Sequence, residues 1–443
     1  MTSNPAQQSA DAPRAPLPEG TLPVGVGLLI TGIASYAFFK VGQQALGKED
    51  FKPVMALWFV TFTLAPGFFI PVEQELGRAL AHRRALDQGG LPLVRRIVPL
   101  AAGITLVLAV AMVVGSAWLT DSMFEGHAGV TAALFVAVPA YALTHLSRGI
   151  ASGSARFRVY GLVLGIDSVV RIGACIALWL AGVTSVWAYA VTVAASPLVA
   201  VAWVWVQGGL AADDGPPAEL RDVTPNLGWL LLGSIMSAAL VNAGPIGVDV
   251  LAASGDAARV TAFGNGVILA RVPLFLFQAV QAALLPRLAR LAAKGDLEEF
   301  RTGFRNLMVV VAGIAVLGVA GSFAVGPTVL DVVYGGGLDR RTLGLLALAS
   351  GLFMLAQACA LAVIALRGHR QVAFGWLASI GTFVAVTALV SDDLYLRVEL
   401  GLVSACVVAF GYFVAAMRSR VAAGITPDAE SMIDGVVDNP VEG

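Results

Sequence analysis

At 443 residues the chain could hold two or three soluble domains. However, 58% of it is hydrophobic, only 13% is charged, and the mean hydropathy is +0.81. Soluble domains carry roughly 25% charged residues, so this chain cannot cover a water-facing surface of its own size. The net charge of −1 gives no basis for a nucleic-acid partner.

Runs of about twenty apolar residues recur along the length, each able to cross a hydrocarbon core. Backbone in lipid must satisfy its own hydrogen bonds, which leaves helices or closed barrels. The runs are continuous rather than alternating, so they predict helices. Ahead of them, residues 1–20 are rich in Pro, Ala and polar residues. They lack the basic start and apolar core of a signal peptide, so they are expected to form a disordered cytoplasmic tail.

Twelve spans are expected near 22–44, 53–76, 94–119, 129–151, 159–181, 184–206, 226–247, 260–284, 304–325, 342–365, 370–390 and 398–417. Span one carries Lys40 near its outer end, close enough to the headgroups to snorkel or to contact a substrate. Span two has Pro66 and Pro71 and then Glu73, Gln74 and Glu75, whose carboxylates fall on different faces; they serve a gate or pair with Arg78. Span four holds His145. The four histidines are dispersed, which does not suggest a metal site or proton relay. In span five Asp167 and Arg171 lie four apart on one face and can neutralise one another.

The segment after span six carries Asp213, Asp214, Gly215, Pro216 and Pro217, a linker composition. It divides the chain into an N-terminal lobe (21–207), a linker (208–225), a C-terminal lobe (226–418) and a second cytoplasmic tail (419–443). In span eight Arg271 falls about half way across. Arginine does not give up its proton, so it must face water, a carboxylate or an anionic ligand. It is read either as a cation for phosphate in a central cavity or as half of a structural ion pair. Gln43, Gln44, Asn242, Gln278 and Gln281 are expected to hydrogen-bond between helices. Cys175, Cys359 and Cys406 lie singly in separate apolar runs and read as buried small hydrophobes.

Lys and Arg fix the orientation. Nineteen fall in the even-numbered connections and tails and six in the odd-numbered ones, with Lys40, Arg171 and Arg271 inside spans. Both termini are therefore expected in the cytoplasm, with an even number of spans. The halves also echo one another. A shift of 209 residues aligns Arg78 with Arg287 and Asp87 with Asp296, the kind of internal repeat found in secondary transporters. No Walker loop, HExxH or Ser-His-Asp set occurs. The outer connections are short, so the sequence points to a transporter rather than an enzyme, with no cofactor implied.

Several segments resemble one family. Ala45-Leu46-Gly47-Lys48-Glu49-Asp50-Phe51 is similar to the ALGPEEFG turn of polysaccharide flippases, with Lys48 in place of Pro. Ser147 to Gly161 resembles their RG…G…RF..YG segment, with the later Asp167 and Arg171. Tyr334-Gly335-Gly336-Gly337 matches an outer loop, and Pro71 to Leu80 looks like the PLEQEL.RAL variant of actinobacterial members. These flippases form the Wzx-like branch of the MATE-related multidrug/oligosaccharidyl-lipid/polysaccharide superfamily.

The resemblance implies an all-α integral membrane protein of about twelve transmembrane helices in two six-helix, MATE-like lobes. By alternating access it would move a polyprenyl-pyrophosphate-linked oligosaccharide between leaflets of a bacterial cell membrane, with polysaccharide-assembly enzymes as partners beside the membrane lipids. Arg271, with Lys40 and Gln278, would contact substrate; Asp167, Arg171, Glu73, Glu75 and Arg78 would form gates or ion pairs. Span one lacks a mid-depth Arg and span two is acidic, unlike a strongly cationic cavity. The alternatives are a cation-coupled multidrug antiporter of the same fold, for which Asp167 is the clear carboxylate, and a transport-inactive scaffold for envelope enzymes.

Overall fold

The structure is a computed structural model and describes residues 21–218, 227–253, 255–274, 277 and 297–423. Residues 1–20, the C-terminal tail from 424, part of the linker, and Gln278, Gln281, Arg287 and Asp296 lie outside the described residues.

Twelve long helices make up the described chain: α1 (Thr21–Asp50), α2 (Lys52–Ala85), α3 (Leu91–Val114), α4 (Ala128–Gly153), α5 (Phe157–Leu180), α6 (Val186–Val206), α7 (Leu227–Leu251), α8 (Ala257–Ala270), α9 (Leu297–Tyr334), α10 (Arg340–Ala365), α11 (His369–Leu389) and α12 (Leu394–Ala422). A single α-turn and a π-turn continue α3 as far as Met123. Eleven of the twelve are long and apolar enough to cross a membrane. The exception, α8, is the first part of the expected eighth span; 275–276 and 278–284 of that span lie outside the described residues.

Local chemistry sets the ends of these helices. Pro53 and Pro92 sit in the first turns of α2 and α3, where the missing N–H costs no helical bond. Asp339 caps α10 through the Thr342 N–H at 2.9 Å, which also holds its carboxyl below the usual carboxylate range. Asp393 caps α12 through Leu396 N–H at 2.8 Å. Beyond α9, Gly335, Gly336 and Gly337 all have positive φ, a run that side chains disfavour.

The packing repeats with a period of six helices. In the first half α1 lies on α5, α2 on α4, α4 on α6, and α5 on α6. In the second half α7 lies on α11, α8 on α10, α10 on α12, and α11 on α12. The peripheral helices correspond too, because α3 and α9 have only 22% and 6% of their apolar windows buried. The halves meet along two matching seams, α1 against α8 and α2 against α7.

Exposed tryptophans lie at both ends of the bundle, five of these six on the first half. Trp118, Trp179 and Trp187 lie at the end holding the α1–α2 turn, and Trp203, Trp205 and Trp229 at the opposite end. Two such belts separated by apolar surface are the signature of a membrane-embedded bundle. The chain is a multi-pass membrane protein.

At the opposite end the linker is fastened to the first half. Arg83 donates to the carbonyls of Gly89 and Pro216, Arg156 to those of Gly209 (3.1 Å) and Ala211 (2.6 Å), and Leu91 N–H to Asp213 O (2.9 Å). These arginines therefore act in packing as well as in charge asymmetry.

Close backbone approach between α1 and α5 depends on Gly161, where a Cβ would fall 2.3 Å from the Pro23 carbonyl oxygen. Gly161→Val should destabilise the bundle by about 1–3 kcal/mol, the usual cost of overpacking, and lower the thermal unfolding midpoint in detergent. Gly103→Ala, where a Cβ meets nothing within 4 Å, should leave that midpoint unchanged or raise it slightly.

Candidate functional site

Arg271 follows directly on α8 and is buried. Its Nη2 donates to Val241 O at 2.9 Å and to Asn242 Oδ1 at 2.8 Å, and its guanidinium lies 5.5 Å from the centroid of the Phe59 ring. Asn242 is held in turn, because its Nδ2 donates to Phe62 O of α2 at 3.1 Å. The guanidinium thus sits at mid-length of the bundle where α2, α7 and α8 converge. On its C-terminal-half side it borders a small apolar cleft, lined among others by Leu240, Val267, Leu346, Phe353 and Leu402. A fixed cation at the head of an apolar cleft is suited to an anionic group carrying a hydrophobic tail.

The other site expectations fall into place as follows. Asp167 Oδ2 lies 3.6 Å from Arg171 Nη2, and Asp167 Oδ1 accepts from Ser196 Oγ at 2.5 Å. Arg171 also donates to Tyr141 OH at 3.0 Å and stacks 4.7 Å over Trp58, which is itself stacked on Phe38. The pair is thus built into the first half, across α2, α4, α5 and α6. Glu75 meets Arg78 at 2.8 Å. Glu73 does not; it points to α4, with His145 Nδ1 at 2.7 Å from Oε2 and Arg148 Nη2 at 3.2 Å from Oε1. Arg148 also donates to Tyr160 OH. Lys40 is half-buried on α1.

Three sets of contacts join the halves at the α1–α2 end. Gln43 and Asn265 exchange amide hydrogen bonds of 2.7 and 2.9 Å, both side chains buried. Tyr36 OH donates to Ile268 O at 2.8 Å and Thr261 Oγ1 to Lys48 O at 2.7 Å, while Lys48 Nζ reaches the Gly335 and Gly336 carbonyls, each at 3.1 Å. Finally, Lys52 Nζ lies 2.9 Å from Glu125 Oε1 and 3.0 Å from Asp249 Oδ1. Sequence reasoning missed this last group for a definable reason. Expected boundaries at 53 and 247 left Lys52 and Asp249 outside the spans, whereas both belong to helices and are buried.

Each buried acid among the described residues has a basic partner within 4 Å: Glu73 with His145 and Arg148, Glu75 with Arg78, Asp167 with Arg171, Asp249 with Lys52, and Glu399 with Arg341. Removing one member of such a pair strands the other charge. Glu73→Ala should cost about 3–5 kcal/mol of stability, read as a lowered unfolding midpoint in detergent. Glu73→Leu combined with Arg148→Met should recover a substantial part of that loss.

No protein-family model matches the sequence, and no curated protein is similar to it by sequence. Solved structures are similar in fold. A MATE transporter in complex with MaD3S superposes with a TM-score of 0.68 at 15% identity, over 92% of this chain and 96% of that one. The outward-facing conformation of a multidrug resistance MATE family transporter of the MOP superfamily gives 0.66 at 15% identity, over 92% and 95%. The inward-facing conformation of a multidrug resistance MATE family transporter gives 0.62 at 14% identity, over 92% and 96%. The paired six-helix packing, the two seams and these superpositions lead to one conclusion: the chain has the fold of MATE family transporters.

Proposed function

We propose that this protein is an alternating-access transporter for an anionic amphiphile, a polyprenyl-pyrophosphate-linked oligosaccharide, which it moves from the inner to the outer leaflet of a bacterial cell membrane for surface polysaccharide assembly. The observation that carries this reading is Arg271, a buried guanidinium at mid-length, where the two halves meet and an apolar cleft begins. Phosphate oxygens match the guanidinium fork, and the cleft suits isoprenoid carbon. The pairing of Asp167 with Arg171 supports an anionic rather than a cationic cargo, since a cationic drug calls for a carboxylate left to receive it. The motif resemblance to polysaccharide flippases points the same way. With the termini inside, the α1–α2 end, where contacts close both seams, faces the outer leaflet.

A cation-coupled multidrug antiporter is the second reading, favoured by the likeness in fold to multidrug resistance MATE family transporters. The two separate experimentally. Protein reconstituted in vesicles should reorient a polyprenyl-pyrophosphate-linked sugar, and Arg271→Ala should slow this at least tenfold with unchanged protein content. Arg271→Lys should recover only part, since a point charge replaces a fork. Robust extrusion of cationic dyes, together with normal lipid reorientation by Arg271→Ala, would transfer the assignment to the antiporter.

A further inference from the structure

We propose that Arg370, Trp229 and Phe374 form a binding site for an anionic phospholipid, whose headgroup phosphate the Arg370 guanidinium holds at the bilayer surface. With the termini inside, this end of the bundle meets the inner leaflet, so the choice of leaflet rests on that orientation. The site itself depends neither on the orientation nor on the cargo.

Two helices that start side by side bring the three side chains together. α7 begins at Leu227 and α11 at His369, and they pack closely where a Cβ on Gly233 would lie 3.7 Å from the Ala373 backbone. Trp229, one turn before Gly233, and Phe374, next to Ala373, flank this contact on the outer surface. Each is 38% exposed, and their ring centroids lie 5.7 Å apart. Arg370, one turn before Phe374, lays its guanidinium over both rings, 5.8 Å from the Trp229 centroid and 5.4 Å from that of Phe374. Stacking on two aromatic faces holds a planar guanidinium in place and leaves its N–H edge open.

Charge compensation singles this arginine out. Three other arginines stacked on rings each have a carboxylate within 4 Å: Arg148 over Tyr160 has Glu73, Arg171 over Trp58 has Asp167, and Arg259 over Tyr395 has Asp256. Among the described residues, exposed Arg370 makes no hydrogen bond and has no acid within 4 Å. At the same end Arg83, Arg156 and Arg420 spend their donors on main-chain oxygens. Arg84, Arg95, Arg96 and Arg158 are exposed as well, but among the described residues no ring holds them, and a topology signal accounts for them. The first turn of α11 adds to the positive field, because Gly368 supplies no side-chain cap and the turn contains no acid.

A phospholipid fits this arrangement at both of its ends. The guanidinium fork matches two phosphate oxygens, and Trp229 lies in the tryptophan belt at headgroup level. Beyond Phe374 the same face of α11 continues with Leu377, Gly381 and Val384, exposed at helical spacing, a strip on which an acyl chain can lie. A soluble anion gains nothing from that strip. Cytoplasmic leaflets carry anionic lipid, which basic side chains near the surface attract. A lipid seated here bridges the starts of α7 and α11, and so stabilises the second half.

The test uses the full chain in detergent, titrated with dioleoylphosphatidylglycerol or dioleoylphosphatidylcholine and read by native mass spectrometry. The wild type should bind phosphatidylglycerol in preference to phosphatidylcholine. Arg370→Ala should weaken phosphatidylglycerol binding about fivefold, and Arg370→Lys should recover only part, since a point charge replaces a stacked fork. The same lipid should raise the thermal unfolding midpoint of the wild type, and raise it less in Arg370→Ala. Arg158→Ala removes an exposed, unstacked arginine from the first turn of α5 and should leave both readouts at the wild-type level. Tryptophan quenching by phosphatidylglycerol brominated on its acyl chains should lose a component in Trp229→Phe. The proposal is overturned if Arg370→Ala binds the lipid as tightly as the wild type, if Arg158→Ala weakens it equally, or if phosphatidylcholine binds as well. Two further results also overturn it. Equal Arg370-dependent stabilisation by inorganic phosphate would make this a site for a soluble anion. Binding of phosphatidylglycerol only after removal of residues 424–443, which carry five acids and no Lys or Arg, would make that segment the occupant. None of these measurements uses the cargo, so they stand apart from what Arg271 binds.

Discussion

The low dielectric of the bilayer makes an uncompensated charge expensive, and this constraint arranges the interior. Among the described residues, several buried charges draw in a neighbouring helix through the groups that compensate them. Asp167 and Arg171 share one helix, yet their remaining hydrogen bonds and stacking reach α2, α4 and α6. Glu73 ties α2 to α4 through His145 and Arg148. These networks stiffen the first half as a unit. The contacts at the α1–α2 end are of a different kind, because they join groups from opposite halves. Rigid lobes with polar seams between them are what a rocking transporter requires.

Much of the fold was legible in the sequence, since apolar runs of span length and the asymmetry of Lys and Arg depend only on local composition. The eleven spans of sufficient length overlap the expected positions, although α2 and α9 each run nine residues past the expected end, to Ala85 and Tyr334. The candidate site was less legible, and Lys52 and Asp249 show why. Their importance comes from being one or two residues inside a helix end rather than outside it, and from facing each other across nearly two hundred residues of chain. Hydropathy does not resolve a boundary that finely. His145 was visible but uninterpretable, because nothing local placed Glu73 beside it. Arg271 was the opposite case: its type alone marked it, since an arginine amid apolar residues needs a reason wherever it falls.

Side-chain type and tertiary position contribute differently to the basic residues at the α2–α3, α4–α5 and α10–α11 turns. Read as a linear string, they are a topology signal. In the fold, Arg83, Arg156 and Arg420 also cross-link loops by donating to main-chain oxygens. The same residue thus serves two purposes, one during insertion and one afterwards, and only the first is encoded locally.

That preference for main-chain acceptors has an evolutionary consequence. Lys48 on the Gly335 and Gly336 carbonyls, Arg83 on Gly89 and Pro216, and Arg271 on Val241 all recognise atoms that every residue possesses. The donor is chemically constrained, whereas the accepting segment must keep only its backbone path. Sequence on the accepting side is free to drift while the contact persists. An architecture held this way can be shared by chains about 15% identical.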